Sequence, residues 1–414
     1  MDVNEPLQSD GSVTIIGASL AGLRAAESLR REGFAGSITL VGDEPHEPYD
    51  RPPLSKQILS GTWETEKITL AGPDKLSELS VEARLGLRAT ALDVEARTVT
   101  LVDDSTITSD AVVLATGASL RSLPGADASA RVHGLRTLDD ALGLRSDLDS
   151  LEPPGKVVVI GAGFIGQEVA TEAVNRGHSV TILEWLDVPL SPIVGITVGE
   201  MLGELSAKAD IEVRCGVRVA GIGPPRPGAN AGVVDLEGGE QVPADLIVVG
   251  IGVIPATGWL EGSGLALDGG IVCDERLFCA PGIVAAGDVA RFHWLGAGRD
   301  EMVRIEHWQM AADHGAHVAK SLLGGRRDAP VFEAVPYFWS DQWGKKIQML
   351  GHPSAADEIE VVLAPDDEGR FLVVFHEGDY LTGVLGVSRP RQLMAFRSLL
   401  AKGSSFAEAT AVSV

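Results

Sequence analysis

The chain is poor in cysteine, in aromatic residues and in positive charge, and it lacks any long unbroken apolar run. Its 414 residues include three cysteines, Cys215, Cys273 and Cys279. They form neither a CxxC pair nor the spacing of a zinc site, which sets aside a disulfide scaffold and a structural metal. Lysines and arginines number 34 against 58 acids, a formal charge of −24. That surplus repels nucleic acid and anionic membrane surfaces, so any anionic ligand must be held by local cations and backbone N–H groups. The most apolar stretch, 246–260, is interrupted by Gly250, Gly252, Pro255 and Gly258, and so is no membrane span. Met1 to Gly11 is polar and acidic, which reads as a frayed start rather than a secretory signal. A soluble protein of the reducing cytoplasm is expected. Aromatics make up only 5% beside 45% hydrophobic residues and 49 glycines, a balance that suits an α/β protein of two or three domains with many tight strand–helix turns.

What is present is one glycine turn, twice. Gly17-Ala18-Ser19-Leu20-Ala21-Gly22 and Gly161-Ala162-Gly163-Phe164-Ile165-Gly166 stand 144 residues apart. Each follows a β-branched run, Val13 to Ile16 or Val157 to Ile160, and opens a helical stretch. In the second copy Gly161 permits the tight turn, Gly163 lets backbone approach a pyrophosphate, and Gly166 lets the helix pack on its strand. Glu184 lies 23 residues after Gly161, where an acid accepts from both ribose hydroxyls; Trp185, Leu186 and Asp187 follow it, with no Arg or Lys for a 2′-phosphate. NADH is therefore expected over NADPH. In the first copy Ser19 takes the middle position, still small, and Asp43 is the matching acid, 26 residues after Gly17. Asp288, after Gly287, reads either as a carboxylate for a flavin ribityl hydroxyl or as a helix cap. Two such turns imply two dinucleotide sites in one chain.

The periodicity predicts strand 13–16, helix 20–32 and strand 37–41 in the first unit, and strand 156–160, helix 164–176 and strand 179–184 in the second. Tyr49-Asp50-Arg51-Pro52-Pro53-Leu54-Ser55-Lys56 is expected to be extended, with Ser55 capping a short helix. Strands near 97–102 and 111–115 lead to Ala115-Thr116-Gly117, and Leu123-Pro124-Gly125 reads as a crossover. A helix at 196–208, a meander over 217–222 and 232–236 turning at Gly238-Gly239, and a strand at 245–250 complete the second unit. A buried strand over 283–288 and a helix over 307–322, closing at Gly324-Gly325, follow. Four short antiparallel strands (346–351, 358–364, 370–376, 380–387) and a helix at 390–402 end the chain.

The segments GASLAG, VGDEPHEPYDRPPLSK, VVLATGA, LRTLDDA, VVVIGAGFIGQEVA, GIGVIP, VAAGDVARF, VRIEHW and VPYFWSDQWGKKIQMLG together resemble FAD-dependent ferredoxin reductases. More narrowly, they resemble the putidaredoxin-reductase and biphenyl-dioxygenase-reductase type, within the glutathione-reductase fold group. The resemblance implies two Rossmann-like domains, FAD-binding over 11–117 and 253–326 and NAD-binding over 118–252, plus a C-terminal α+β interface domain over 327–414. It implies that Gly17, Ser19, Leu20, Ala21, Gly22, Asp43, Arg51, Lys56, Ala89, Thr116, Gly117, Arg136, Gly287, Asp288, His307, Trp308 and Trp339 hold FAD. Gly161, Gly163, Phe164, Ile165, Gly166, Glu168, Glu184 and Gly252 would line NADH. The implied reaction is hydride transfer from NADH to FAD, then single electrons to an iron–sulfur ferredoxin, of 2Fe–2S type or alternatively 3Fe–4S or 4Fe–4S. That carrier would feed a cytochrome P450 or a ring-hydroxylating dioxygenase, with the reductase a monomer or homodimer. Competing readings are a rubredoxin reductase, an NADH oxidase, and an NAD(H)-responsive flavoprotein that signals by its association state.

With that resemblance, Lys56 and Glu168 become the expected catalytic pair, an ammonium neutralising a carboxylate one turn into the second helix; without it they read as surface charges. Disulfide reductases of this fold carry a Cys-x4-Cys pair beside the flavin, and the corresponding stretch here, Arg51 to Gly61, has no cysteine. Electrons are thus expected to leave for a protein, past Trp308 and Trp339, with Trp343 a packing residue. An acidic ferredoxin needs a basic dock, and Arg389, Arg391, Arg397 and Lys402, or Lys345 and Lys346, are the candidates. The chain departs from the family pattern at Gln309-Met310, where Thr-Asn is expected, and at His314, His317 and Lys320, where arginines are. His314 and His317 lack a completing carboxylate, so a metal site is not expected.

Overall fold

The computed structural model describes residues 5–126, 131–209, 211–296 and 299–410. Its contacts divide into two compact units, one of Met1–Asp50, Ile68–Ser119 and Ile254–Tyr337, the other of Arg51–Lys67, Leu120–Val253 and Phe338–Val414.

In the first unit the β-branched run Ser12–Ile16 becomes the centre of a six-stranded sheet. Ser37–Val41 pairs parallel to one side of it and Ala111–Leu114 to the other. Val81–Arg84 extends the first edge, and Ile283–Ala285 followed by Phe278–Ala280 extends the second. The chain therefore reverses direction across the sheet at its first strand, and the crevice at the C-terminal ends there is where α/β sheets bind ligands. Both faces are covered, so strands such as Ala111–Leu114 are buried throughout. The helices Leu20–Arg31 and Trp308–Asp328 pack on each other beside this sheet. Gly315 permits that approach, since a Cβ there would lie 2.3 Å from the Ala21 carbonyl oxygen. At Gly325 the backbone turns to φ 70°, which ends the regular helix where the paired glycines predict. Ala290–Gly296 and Arg299–Val303 form an antiparallel hairpin that the sequence pattern does not predict. Of the expected frayed start, Met1–Asn4 lie outside the described residues; beyond them Leu7 is buried and its N–H donates to the Leu322 carbonyl at 2.8 Å. The apolar side chain ties that segment down.

The second unit repeats the plan. Lys156–Ile160 is central, with Ser179–Leu183 and then Glu212–Arg214 on one side and Leu246–Val249 and then Val132–His133 on the other, all parallel. A three-stranded meander, Val219–Gly223, Gly232–Leu236 and Gln241–Ala244, lies in the same unit. The C-terminal sheet has five strands rather than four, because Tyr337–Gln342 joins its edge ahead of Lys345–Gly351. Its side chains alternate between half-buried and buried, the period-2 signature of a half-buried strand. The helix Ser191–Ala207 starts earlier than its pattern predicts and is kinked at Gly195, φ 75°. It buries Val194, Val198, Leu202 and Leu205 against Ile347, Met349, Val373 and Phe375 of the C-terminal sheet. Each such fully buried side chain contributes about 1.5–3 kcal/mol. The expected last helix is divided at Phe396 into Pro390–Ala395 and Arg397–Lys402, followed by Phe406–Thr410. No helix among the described residues is long and apolar enough to cross a membrane.

Candidate functional site

The first glycine turn runs from the C-terminal end of Ser12–Ile16 into the helix Leu20–Arg31. Gly17 has φ 121°, and a Cβ there would lie 2.1 Å from the Ala115 carbonyl oxygen; one at Gly22 would lie 2.0 Å from that of Gly17. Both positions are closed to any side chain by backbone alone. Ser19, at the N-cap, makes no side-chain capping bond, so its hydroxyl does not take up the first-turn N–H groups. Thr116 and Gly117 follow Ala115 beside this turn; the Thr116 hydroxyl donates to the Ala256 carbonyl at 3.1 Å and Gly117 accepts from Ala256 N–H at 3.0 Å. The short 3₁₀ turn Gly287–Val289 comes to the same edge, a Gly287 Cβ lying 3.2 Å from that of Ala21. Asp288 thereby sits at the sheet crevice, half-buried. Asp43 is exposed just past the strand Ser37–Val41, and Ala89 is buried at the start of Ala89–Asp93.

At the start of the helix Trp308–Asp328, His307 is the N-cap and the Trp308 indole N–H donates to Asp50 Oδ1 at 2.5 Å. Burial raises the Asp50 carboxyl above its ordinary range, and the Trp308 hydrogen bond opposes that rise. His314, two turns on, is wholly buried and accepts the Gly287 N–H on Nδ1. Burial pulls His314 down to about 3 and His317 to about 4. His314 is thus an acceptor that shapes the Gly287–Asp288 turn, a role with no sequence signal. Cys273 and Cys279 belong to the core of this unit, and the Cys273 thiol, facing Cys279 and buried, is raised well above its ordinary range.

In the second unit the three turn glycines separate by cause. A Cβ on Gly161 (φ 101°) would lie 2.4 Å from the Gly250 carbonyl oxygen, and one on Gly166 2.2 Å from that of Gly161. On Gly163 it would meet nothing within 4 Å, and its φ is an ordinary −70°. Protein packing demands the first and third glycines; at the second only an approaching ligand would. Glu184 is 5% exposed and accepts the Ala162 N–H at 2.7 Å and the Leu186 N–H at 3.0 Å. It braces the turn, and each carboxylate oxygen retains a further lone pair. Gly252 (φ 90°) is close by in sequence to Gly250 and accepts the Arg121 N–H at 3.0 Å. Ile165 is 46% exposed, and Phe164 packs on Phe338 with ring centroids 4.7 Å apart.

Glu168 lies one turn into this helix and is 3% exposed. Its Oε2 receives the Lys56 ammonium at 2.7 Å and the Ser55 hydroxyl. Its Oε1 receives the Ser340 hydroxyl at 2.5 Å and the Asp341 N–H at 3.1 Å, and Gln342 donates in turn to Ser340 at 2.9 Å. Four donors make this buried carboxylate fully satisfied. Ser55 is therefore a donor to Glu168 rather than a helix cap; it lies inside the π-type turn Leu54–Ile58, whose N-cap position is Pro53. Ser340 lies in the FWSDQ segment, which the resemblance marked without assigning this residue a role. Trp339 is half-buried on the same strand. Arg51 donates to the Arg136 carbonyl, and the Arg136 N–H donates to Asp140 at 2.9 Å. Trp343 packs against the C-terminal core.

Of the basic candidates, Arg389 is held by Asp366 at 2.8 Å and Lys346 lies 3.8 Å from Asp341. Arg391, Arg397 and Lys402 are exposed. Arg389 therefore drops out of a free patch, because its charge is already met.

The residues fit two bound dinucleotides: each unit offers a helix N-terminus behind backbone-closed glycines, and Gly163 leaves the space that a pyrophosphate would fill. Comparison with known proteins identifies the family. The family described as pyridine nucleotide-disulphide oxidoreductase matches residues 11–315, and the reductase C-terminal family matches 337–413. The chain is 38% identical to rhodocoxin reductase of Rhodococcus erythropolis over 94% of its length and 89% of that protein. It is 35% identical to putidaredoxin reductase CamA of Pseudomonas putida over 93% and 90%. The solved covalent putidaredoxin reductase–putidaredoxin complex superposes with a TM-score of 0.88 at 33% identity, covering 95% of this chain and 94% of that one. The chain thus belongs to the pyridine nucleotide-disulphide oxidoreductase family and, within it, to the putidaredoxin-reductase type of ferredoxin reductase.

Proposed function

We propose that this chain reduces an iron–sulfur ferredoxin with electrons from NADH, holding FAD on the Gly17–Gly22 turn and taking NADH on the Gly161–Gly166 turn. The observation that carries this reading is the open space at Gly163, between two glycines that backbone packing requires. FAD, when bound, supplies the conversion of one hydride into two single electrons. The chain's own residues bind and orient. Gly163 admits the pyrophosphate, Glu184 takes the ribose, and Lys56 pairs with Glu168 and fixes it one turn along the helix from the nucleotide turn. With Cys273 and Cys279 in the core and no cysteine in Arg51–Gly61, a dithiol relay has no members, which favours export of electrons to a protein.

In this reading 11–117 with 253–326 serve FAD, 118–252 serve NADH and 327–414 form the interface domain. Arg391, Arg397 and Lys402 would receive an acidic ferredoxin, of 2Fe–2S type in the first instance. Relatives named for chlorobenzene and p-cumate dioxygenase systems support a place upstream of an oxygenase in the cytoplasm. Anaerobic stopped-flow tests the proposal. The purified protein should be yellow, NADH should bleach its visible band rapidly, and a panel of 2Fe–2S, 3Fe–4S and 4Fe–4S ferredoxins should contain one that reoxidises it faster than dioxygen does. A protein that cannot be reconstituted with FAD, or that no ferredoxin reoxidises, refutes the reading.

A further inference from the structure

Trp185 directly follows the acid Glu184 at the C-terminal end of Ser179–Leu183, and it is 59% exposed. An indole left so open to water is unusual for a side chain that packs well elsewhere. The Arg218 guanidinium lies over it, 5.2 Å from the ring centroid. The sequence beside Glu184 carries no sign of this cation, because Arg218 comes from the segment that follows the strand Glu212–Arg214. Backbone bonds hold it there. Glu184 N–H donates to the Arg214 carbonyl at 2.9 Å, Gly216 N–H to that of Leu186 at 3.0 Å, and Val217 N–H to that of Glu184 at 3.0 Å.

The charges around the pair are arranged unequally. Arg214, a few residues earlier, is held by both oxygens of Glu240, at 2.8 and 2.6 Å. Arg218 has no ion-pair partner among the described residues, in a chain of net charge −24. Glu184, the residue that should repel a 2′-phosphate, is turned inward onto two backbone N–H groups, which blunts its outward field.

We infer that Trp185 and Arg218 form the adenosine end of the nucleotide site, the open indole face stacking on adenine and the guanidinium meeting a 2′-phosphate, so that this chain accepts NADPH as well as NADH. The inference rests on the reading of the Gly161–Gly166 turn as the nicotinamide-dinucleotide site. An aromatic face and a planar cation are what a purine and a phosphate each select.

Calorimetric titration of the FAD-loaded protein with ADP-ribose and with 2′-phospho-ADP-ribose tests it without turnover. The wild type should bind both. Arg218→Ala should weaken the phosphorylated ligand about tenfold and ADP-ribose less than about twofold, as loss of one phosphate contact requires. Trp185→Ala should weaken both about fivefold to tenfold, and Trp185→Phe should restore most of that. If Arg218→Ala affects both ligands equally or neither, or if the wild type binds only ADP-ribose, the inference is overturned. If the wild type binds neither ligand, the assignment of the turn fails as well.

Discussion

The backbone N–H of Gly287 donates to Nδ1 of His314 at 3.2 Å. Accepting there places the ring proton on Nε2, which has no hydrogen-bond partner among the described residues, while the ring stands edge-on to Phe292 and Phe332, with centroids 4.6 and 4.5 Å away. The neutral ring suits this place; the imidazolium would lose the Gly287 bond and gain a buried charge.

A pH dependence follows from that burial. His314 is pulled from 6.5 to about 3 in the folded protein, so the unfolded chain binds its proton first. The stabilisation is fully present above 6.5 and is lost as pH falls towards 3, by about 1.4 kcal/mol per pH unit through that window. His317, pulled to about 4, acts in the same direction. Urea unfolding at pH 7 and pH 5 should show a smaller acid loss for His314→Gln, whose side-chain oxygen still accepts the Gly287 N–H. An identical loss in both proteins would assign the acid sensitivity elsewhere.

Removing Lys56 should cost more than removing the pair. Lys56→Met strands the Glu168 carboxylate, whose side chain is 2% exposed, at about 3 kcal/mol. Lys56→Met with Glu168→Gln should recover most of that loss, because the neutral amide needs no counter-ion. Denaturant unfolding of the wild type, Lys56→Met, Glu168→Gln and the double variant reads the coupling directly. In stopped-flow, the Lys56→Met protein should also be reduced by NADH about tenfold more slowly.

The glycine turn at 161–166 should respond differently at two positions. Gly163→Ala, at the helix N-cap, should cost no more than about 1 kcal/mol of stability, while weakening ADP-ribose binding about tenfold through lost pyrophosphate approach. Gly161→Ala, at φ 101° and against the Gly250 carbonyl, should instead destabilise the fold by about 2 kcal/mol or more. Thermal unfolding set beside calorimetry separates them, and equal stability losses would contradict the steric account.

On the C-terminal surface, Arg391→Glu with Arg397→Glu should raise KM for the cognate ferredoxin about fivefold and flatten its salt dependence. Arg389→Ala should leave KM unchanged, since Asp366 already holds that side chain. Steady-state turnover across a salt series decides; an unchanged slope in the double variant places the dock elsewhere.

Much of the scaffold was legible from local pattern. The strands Ser12–Ile16 and Lys156–Ile160, and the helices after them, begin within a residue of the expected positions, because a β-branched run followed by glycines has few conformations open to it. The edge strand Tyr337–Gln342 and the hairpin of Ala290–Gly296 and Arg299–Val303 carry no local signature. Their sequences are ordinary, and only their partners make them strands. Ser55 looked like a cap because capping is a local property, whereas its partner Glu168 lies more than a hundred residues away.

The two glycine turns were legible in sequence alone, since a β-branched run, spaced glycines and a helical stretch make a local pattern. Charge is another matter. Whether an acid is a solvated ornament or a buried, four-donor carboxylate like Glu168, and whether a cation stands near Trp185, depends on distances between residues remote in the chain. Burial and Coulomb energy are set by those distances, so the tertiary structure alone decided them.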